Sequence, residues 1–145
     1  MINLKETPAV KGSLIYTVYK NGVPIEHVED HNLVVNGGRT RLAQLISGKS
    51  SVPITKIGFG TGANIPALTD TSLDNLRTID ITSSAVSGTS VTFNWFLDEN
   101  HCNGMDIREF GLFTRDDVMV THQQRGRVIG KEIDITIQGQ YILTF

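Results

Sequence analysis

Residues 13–28 read SLIYTVYKNGVPIEHV, and this stretch decides the class of fold. Leu14, Tyr16 and Val18 fall on one face and Ile15, Thr17 and Tyr19 on the other, the period of two that a pleated strand imposes. Asn21-Gly22 follows, a dipeptide that accepts positive φ at both centres of a type I′ turn, so Val23–Val28 reads as the returning strand of a hairpin. Pro24 lacks a ladder donor and marks that strand as an edge.

Working outward, the same chemistry recurs along the 145 residues. The chain has 15 Ile, 12 Val and 15 Thr but only five Ala. β-Branched side chains are stiff at χ1 and fit a pleated sheet better than a helix. His31–Val35 is a short apolar run ending at Asn36-Gly37-Gly38, and Ile54–Phe59 is a strand. Arg77–Ser83 and Ser90–Leu97 read as two strands around a Ser87-Gly88 turn, with Val91, Phe93 and Trp95 on one face of the second. Asp106–Thr114 and Val118–His122 pair across Asp116-Asp117, Gln123–Gly130 is polar and Gly-bearing and is given no strand, and Lys131–Gln138 and Gln140–Phe145 close the chain across Gly139. One helix is expected around 39–47, where Leu42, Leu45 and Ile46 form a stripe to dock on the sheet and Gly48 ends it. The expectation is a single mainly-β, β-sandwich-like domain over 1–145, with about nine short strands and one short α-helix.

Composition excludes several classes. Hydrophobic residues make up 39% and charged residues 19%, which fits neither a disordered tail nor a membrane bundle. Thirteen Lys+Arg against fifteen Asp+Glu leave a net charge of −2, against general nucleic-acid binding. No apolar run approaches the roughly 20 residues of a helical span, so no membrane insertion is expected, and Met1–Val10 is too polar for a signal peptide. The one cysteine, Cys102, cannot form an intramolecular disulfide or a multi-Cys zinc site.

The chemistry-bearing motifs read mostly as structure. Gly58-Phe59-Gly60-Thr61-Gly62 invites a phosphate-loop reading, but its spacing is wrong for a dinucleotide fingerprint and Pro66 blocks a following helix. Gly48-Lys49-Ser50 lacks the first glycine of a P-loop, because Ala43 stands there. Asp98–Glu109 imitates a calcium loop, yet Asn103 occupies the sharp-turn position and Cys102 replaces an oxygen ligand. Neither a G-x-S-x-G elbow nor an H-E-x-x-H pair occurs, and the four histidines read as solvated. Arg125, Arg127 and Lys131 read as a solvated strand end. No catalytic residue, metal site or cofactor is expected.

In Ile107-Arg108-Glu109-Phe110-Gly111-Leu112-Phe113, the charges at 108 and 109 fall on opposite strand faces among large apolar neighbours. At least one must point into a covered region and find a partner. Glu109 is expected to pair with Arg108, Arg77 or backbone amides, and Trp95 is expected in the core.

The ordered set of Asn32–Gly38 running into Leu42–Ile46, Ile57–Gly62 followed by Pro66, Asp70-Thr71 and Leu73, Arg77, and Ile107–Phe113 with Lys131 resembles a small β-rich domain. That domain belongs to tail fibre and baseplate proteins of tailed bacteriophages and prophages. The resemblance spans Asn32 to Phe145, about three-quarters of the chain. It implies a virion tail component, made in the host cytoplasm, that self-associates, with a trimer favoured, and docks on other tail proteins. At this size the chain looks more like a baseplate, adaptor or fibre-connector piece than a complete fibre, with a host-surface glycan a lesser partner. Structural and interface candidates are Arg77, Trp95, Arg108, Glu109, Lys131, Tyr141, Leu143 and Phe145, the last three on a terminal strand without charge or proline. The rival reading is a small carbohydrate- or ligand-binding module using Trp95 or Tyr19 as a stacking platform.

Overall fold

The computed structural model describes residues 10–145. Nine strands and one helix follow in order: β1 (Lys11–Lys20), β2 (Val23–Val34), α1 (Asn36–Ile46), β3 (Ile54–Gly60), β4 (Arg77–Asp80), β5 (Ser83–Ser87), β6 (Ser90–Leu97), β7 (Met105–Thr114), β8 (Thr121–Lys131) and β9 (Ile135–Thr144). The mainly-β class, the strand count and the single short helix are those the sequence led us to expect.

All nine strands join one antiparallel sheet in the order β4-β3-β7-β8-β2-β1-β9-β6-β5. The sheet folds over, so that its two halves face each other across a common core. Phe59 of β3 meets Trp95 of β6 edge-on at 5.6 Å between ring centroids, and Tyr16 of β1 meets Phe110 of β7 at 4.9 Å. The halves are joined on one side by a ladder of only two residue pairs, Leu33–His122 and Val34–Thr121. On the other side Ile81 and Thr82 bridge them. The Ile81 amide donates to Thr55 O beside β3, and the Thr82 amide donates to Asn94 O in β6. The expected single strand Arg77–Ser83 is therefore two short strands on opposite ends of the sheet, divided where the chain crosses the fold.

The N-terminal hairpin turns at Asn21 (φ 50°) and Gly22 (φ 78°), as the dipeptide requires. Its second strand does not stop at Val28. β1 offers a partner for every residue from Val23 to Asn32 except Ile25, and the charged pair Glu29-Asp30 does not interrupt the ladder, so His31–Val34 continues the same strand.

The other corrections have physical causes. Gln123–Gly130, given no strand from its polar composition, is strand, but an irregular one: five steps of β8, from Gln124 to Ile129, oppose two steps of β7, from Ile107 to Glu109. That bulge turns Arg125 and Arg127 toward β2, where both pair with Glu26, Arg125 at 2.7 Å. Side chains thus bridge a seam that the backbone ladder leaves open. Gly139 is not a turn. It sits inside β9, between Tyr16 of β1 and Trp95 of β6, and a Cβ there would lie 2.5 Å from Trp95 Cε2. The glycine is the seat of the indole, and the turn lies instead at 132–134.

In α1, Gly38 is buried and Arg41, Leu42 and Leu45 are half-buried, whereas Ile46 is 79% exposed. At 100° per residue Ile46 lies well round from the centre of that face, so it does not dock as expected. A bidentate pair from Arg41 to Asp116, at 2.7 and 2.8 Å, ties the helix to the β7–β8 turn.

β9 is a central strand, paired along its length with β1 and β6. Tyr141 and Leu143 are buried in the chain's own core, so this apolar strand is covered by its own sheet and these two residues are not interface residues; of the three terminal candidates only Phe145, 46% exposed, faces out. Gly139→Val therefore loses stability by about 1–3 kcal/mol through overpacking, and Trp95→Ala by about 3–5 kcal/mol. Urea denaturation of the two variants checks this; parent-like midpoints would contradict the packing of Trp95 on Gly139.

Candidate functional site

The glycine triplet and the charged strand, separate in sequence, meet at one place. β3 and β7 pair with Gly60 opposite Glu109 and Gly58 opposite Gly111. The bulge between Ile107 and Glu109 shifts the alternation of β7. Ile107, Phe110 and Leu112 enter the main core, and Phe113 packs instead with Val35, Leu73 and Met119 in a second, smaller cluster. Glu109 is left 3% exposed beneath the segment 61–76.

Buried carboxylates need donors for both oxygens. Glu109 Oε2 accepts the backbone N–H groups of Gly62 at 2.8 Å and Asp74 at 3.0 Å. Its Oε1 lies 2.8 Å from Nε2 of His122, whose Nδ1 lies 2.7 Å from Oδ2 of Asp70. Asp70 Oδ2 also accepts the Ala67 amide at 2.7 Å. That amide, with the His122 bond, holds the Asp70 carboxyl below the usual carboxylate range. The chain Glu109–His122–Asp70 thus fixes the loop at Gly62, Ala67, Asp70 and Asp74.

The glycines make room for it. A Cβ on Gly62 would sit 2.7 Å from Glu109 Cδ, and one on Gly60 would overlap Glu109 Oε2. The GFGTG segment does cradle an anion, as glycine-rich loops do, but the anion is the protein's own glutamate.

An acid–imidazole–acid line resembles the base and orienting acid of a catalytic triad. Here both ring nitrogens face carboxylates and the imidazole is 4% exposed, so neither nitrogen is presented to a substrate. His122 is thus not a solvated histidine, and of the partners expected for Glu109 the backbone amides are met while Arg108 and Arg77 bond elsewhere. Arg108 reaches Thr61 O at 3.4 Å on the far side of the loop.

Arg77 and Lys131 meet a different segment, the 98–104 connection. Arg77 Nη1 reaches Asn103 O at 3.5 Å. Lys131 is fully buried, does not open the last pair of strands but ends β8, and donates to Asn103 Oδ1 at 2.8 Å and Glu132 O at 3.0 Å. With no carboxylate among the described residues bound to its ammonium, burial pulls the Lys131 pKa below that of an ordinary lysine. Burial likewise pushes the neighbouring Cys102 thiol up, away from the reactive thiolate. Trp95, 1% exposed, and half-buried Tyr19 do not form an open stacking platform.

Sequence reasoning missed Asp70 and His122 as members of this cluster. One usable signal was present: counting back from the Asp116-Asp117 turn brings His122 opposite Gly111, on the same strand face as Glu109 two residues away. No family model matches the chain, and neither a curated protein nor a solved structure matches it.

Glu109→Ala leaves two amides and the imidazole without their acceptor and lowers stability by about 3–5 kcal/mol. Glu109→Gln keeps the shape, offers one amide oxygen to this donor set and loses less, about 1–3 kcal/mol. Thermal or chemical denaturation gives the ranking; equal stability of all three proteins would remove the clamp from the structure's support.

Proposed function

We propose that the chain is a non-enzymatic structural component of a bacteriophage or prophage tail, a baseplate, adaptor or fibre-connector piece. It acts by self-association and by docking to other tail proteins. The observation that carries the reading is the fate of its motif residues. Ile57–Gly62, Asp70, Leu73 and Ile107–Phe113, the segments on which the resemblance rests, converge on one buried clamp that gives a surface loop a fixed shape.

A fixed loop suits assembly, because ordering it in advance removes that entropic cost from binding. The loop carries Ile65, 88% exposed, and Leu68, 45% exposed, at its outer side. The edge strand β5 adds a second contact surface: it reads SSAVS, all five residues are exposed, and it has neither charge nor proline to deter pairing. Tyr141 and Leu143 drop out of the contact surface, being core.

Light scattering during size exclusion at micromolar concentration tests this reading. The expected particle has three times the 15.9 kDa mass of the chain, and Ile65→Asp with Leu68→Asp shifts it toward the monomer. A parent protein that stays monomeric up to about 1 mM, a concentration where even weak contacts of roughly −4 kcal/mol half-fill, would contradict self-association.

A further inference from the structure

The outer face of the β1-β9-β6-β5 half, opposite the core, carries a cleft of about 450 Å³. That lies within the roughly 300–1,000 Å³ range of small-ligand sites. Its floor is formed by Tyr16, Gly139 and Trp95, whose side chains turn inward and are almost wholly covered where they exist. Its walls are two cross-strand rows. One runs Ile15–Gln140–Asn94, with Thr82 beside Asn94, and the other Thr17–Gln138–Phe96.

Three features of this cleft are unlike ordinary solvated sheet surface. First, among the described residues no charged side chain lines it, although 19% of the chain is charged. Second, its amides are oriented: Gln140 Nε2 donates to Asn94 Oδ1 at 2.9 Å, and Asn94 Nδ2 donates to Ser83 Oγ at 3.0 Å. That chain of bonds engages the Gln140 side-chain nitrogen and leaves its Oε1 to accept from a ligand, with the Gln138 amide in the adjacent row. Third, Phe96 stands 45% exposed at the end of the second row, where a large apolar ring does nothing for the core.

We propose that this cleft binds a neutral saccharide. A pyranose offers hydroxyl donors and acceptors around its rim, which carboxamides satisfy in pairs, and a patch of weakly positive C–H groups on its face, which suits the negative face of an aromatic ring. The lack of a cation removes the counter-charge that phosphate, sulfate or carboxylate groups need. The site lies away from the glycine loop and does not depend on the assembly reading.

The test is NMR titration of the full chain, following the side-chain amides of Asn94, Gln138 and Gln140. Cellotriose, maltotriose and chitotriose serve as neutral probes, and a heparin trisaccharide as a charged one. Saturable shifts of those amides with at least one neutral probe, with Kd on the order of 1–10 mM, are expected. Phe96→Ala weakens that binding about tenfold or more while leaving the melting temperature and particle mass unchanged, which separates this site from the assembly surfaces. No saturable shift with any neutral probe, a response to the heparin trisaccharide alone, or an unaltered response in Phe96→Ala would overturn the proposal.

Discussion

One buried carboxylate sets the shape of the surface this protein presents. Glu109 cannot be stable under the 61–76 loop without donors, and the donors are that loop's own amides together with His122. Satisfying the carboxylate and ordering the loop are therefore the same event. The requirement propagates backward into the sequence. Gly60 and Gly62 must lack side chains because the carboxylate occupies the space, and the β7–β8 bulge must fall where it does to turn Glu109 away from the main core. A single charge thus couples two strands and a loop that are about 50 residues apart in the chain.

The same economy of contact appears where the sheet closes on itself. Its two halves pack through aromatic rings, Phe59, Trp95, Phe110 and Tyr16, and the backbone makes only narrow bridges between them. At the β2–β8 seam the ladder ends after Leu33 and Val34, and beyond it Arg125 lies over the Tyr16 ring and donates to the Tyr16 hydroxyl and to Glu26. A guanidinium serves here because it stacks on an aromatic face and forks to two acceptors at once.

Most of the fold was legible because two signals are local: alternation along a strand and turn chemistry between strands. Both worked for the β1–β2 hairpin and for Phe93 and Trp95 on β6. The errors share a cause. Gly139 and the polar run Gln123–Gly130 were read as breaks, when each is shaped by a distant partner, Trp95 in one case and Glu26 in the other. Arg77–Ser83 looked like one strand because nothing within it records that its two halves face opposite edges of the sheet. For the candidate site, the sequence exposed the glycines and the buried charge as separate oddities. Their union depends on the β3–β7 pairing, which no local pattern encodes, and Asp70 enters only through that tertiary arrangement.

A loop of 16 residues with little regular structure would ordinarily exchange its amide hydrogens quickly. Hydrogen exchange resolved to single amides therefore tests the self-bound glycine cradle most directly. Gly62 and Asp74 are expected to be protected to the level of core residues such as Leu112, while Asn64 and Ile65 between them exchange fast. Exchange at Gly62 and Asp74 as fast as at Ile65 would mean that Glu109 does not hold the loop.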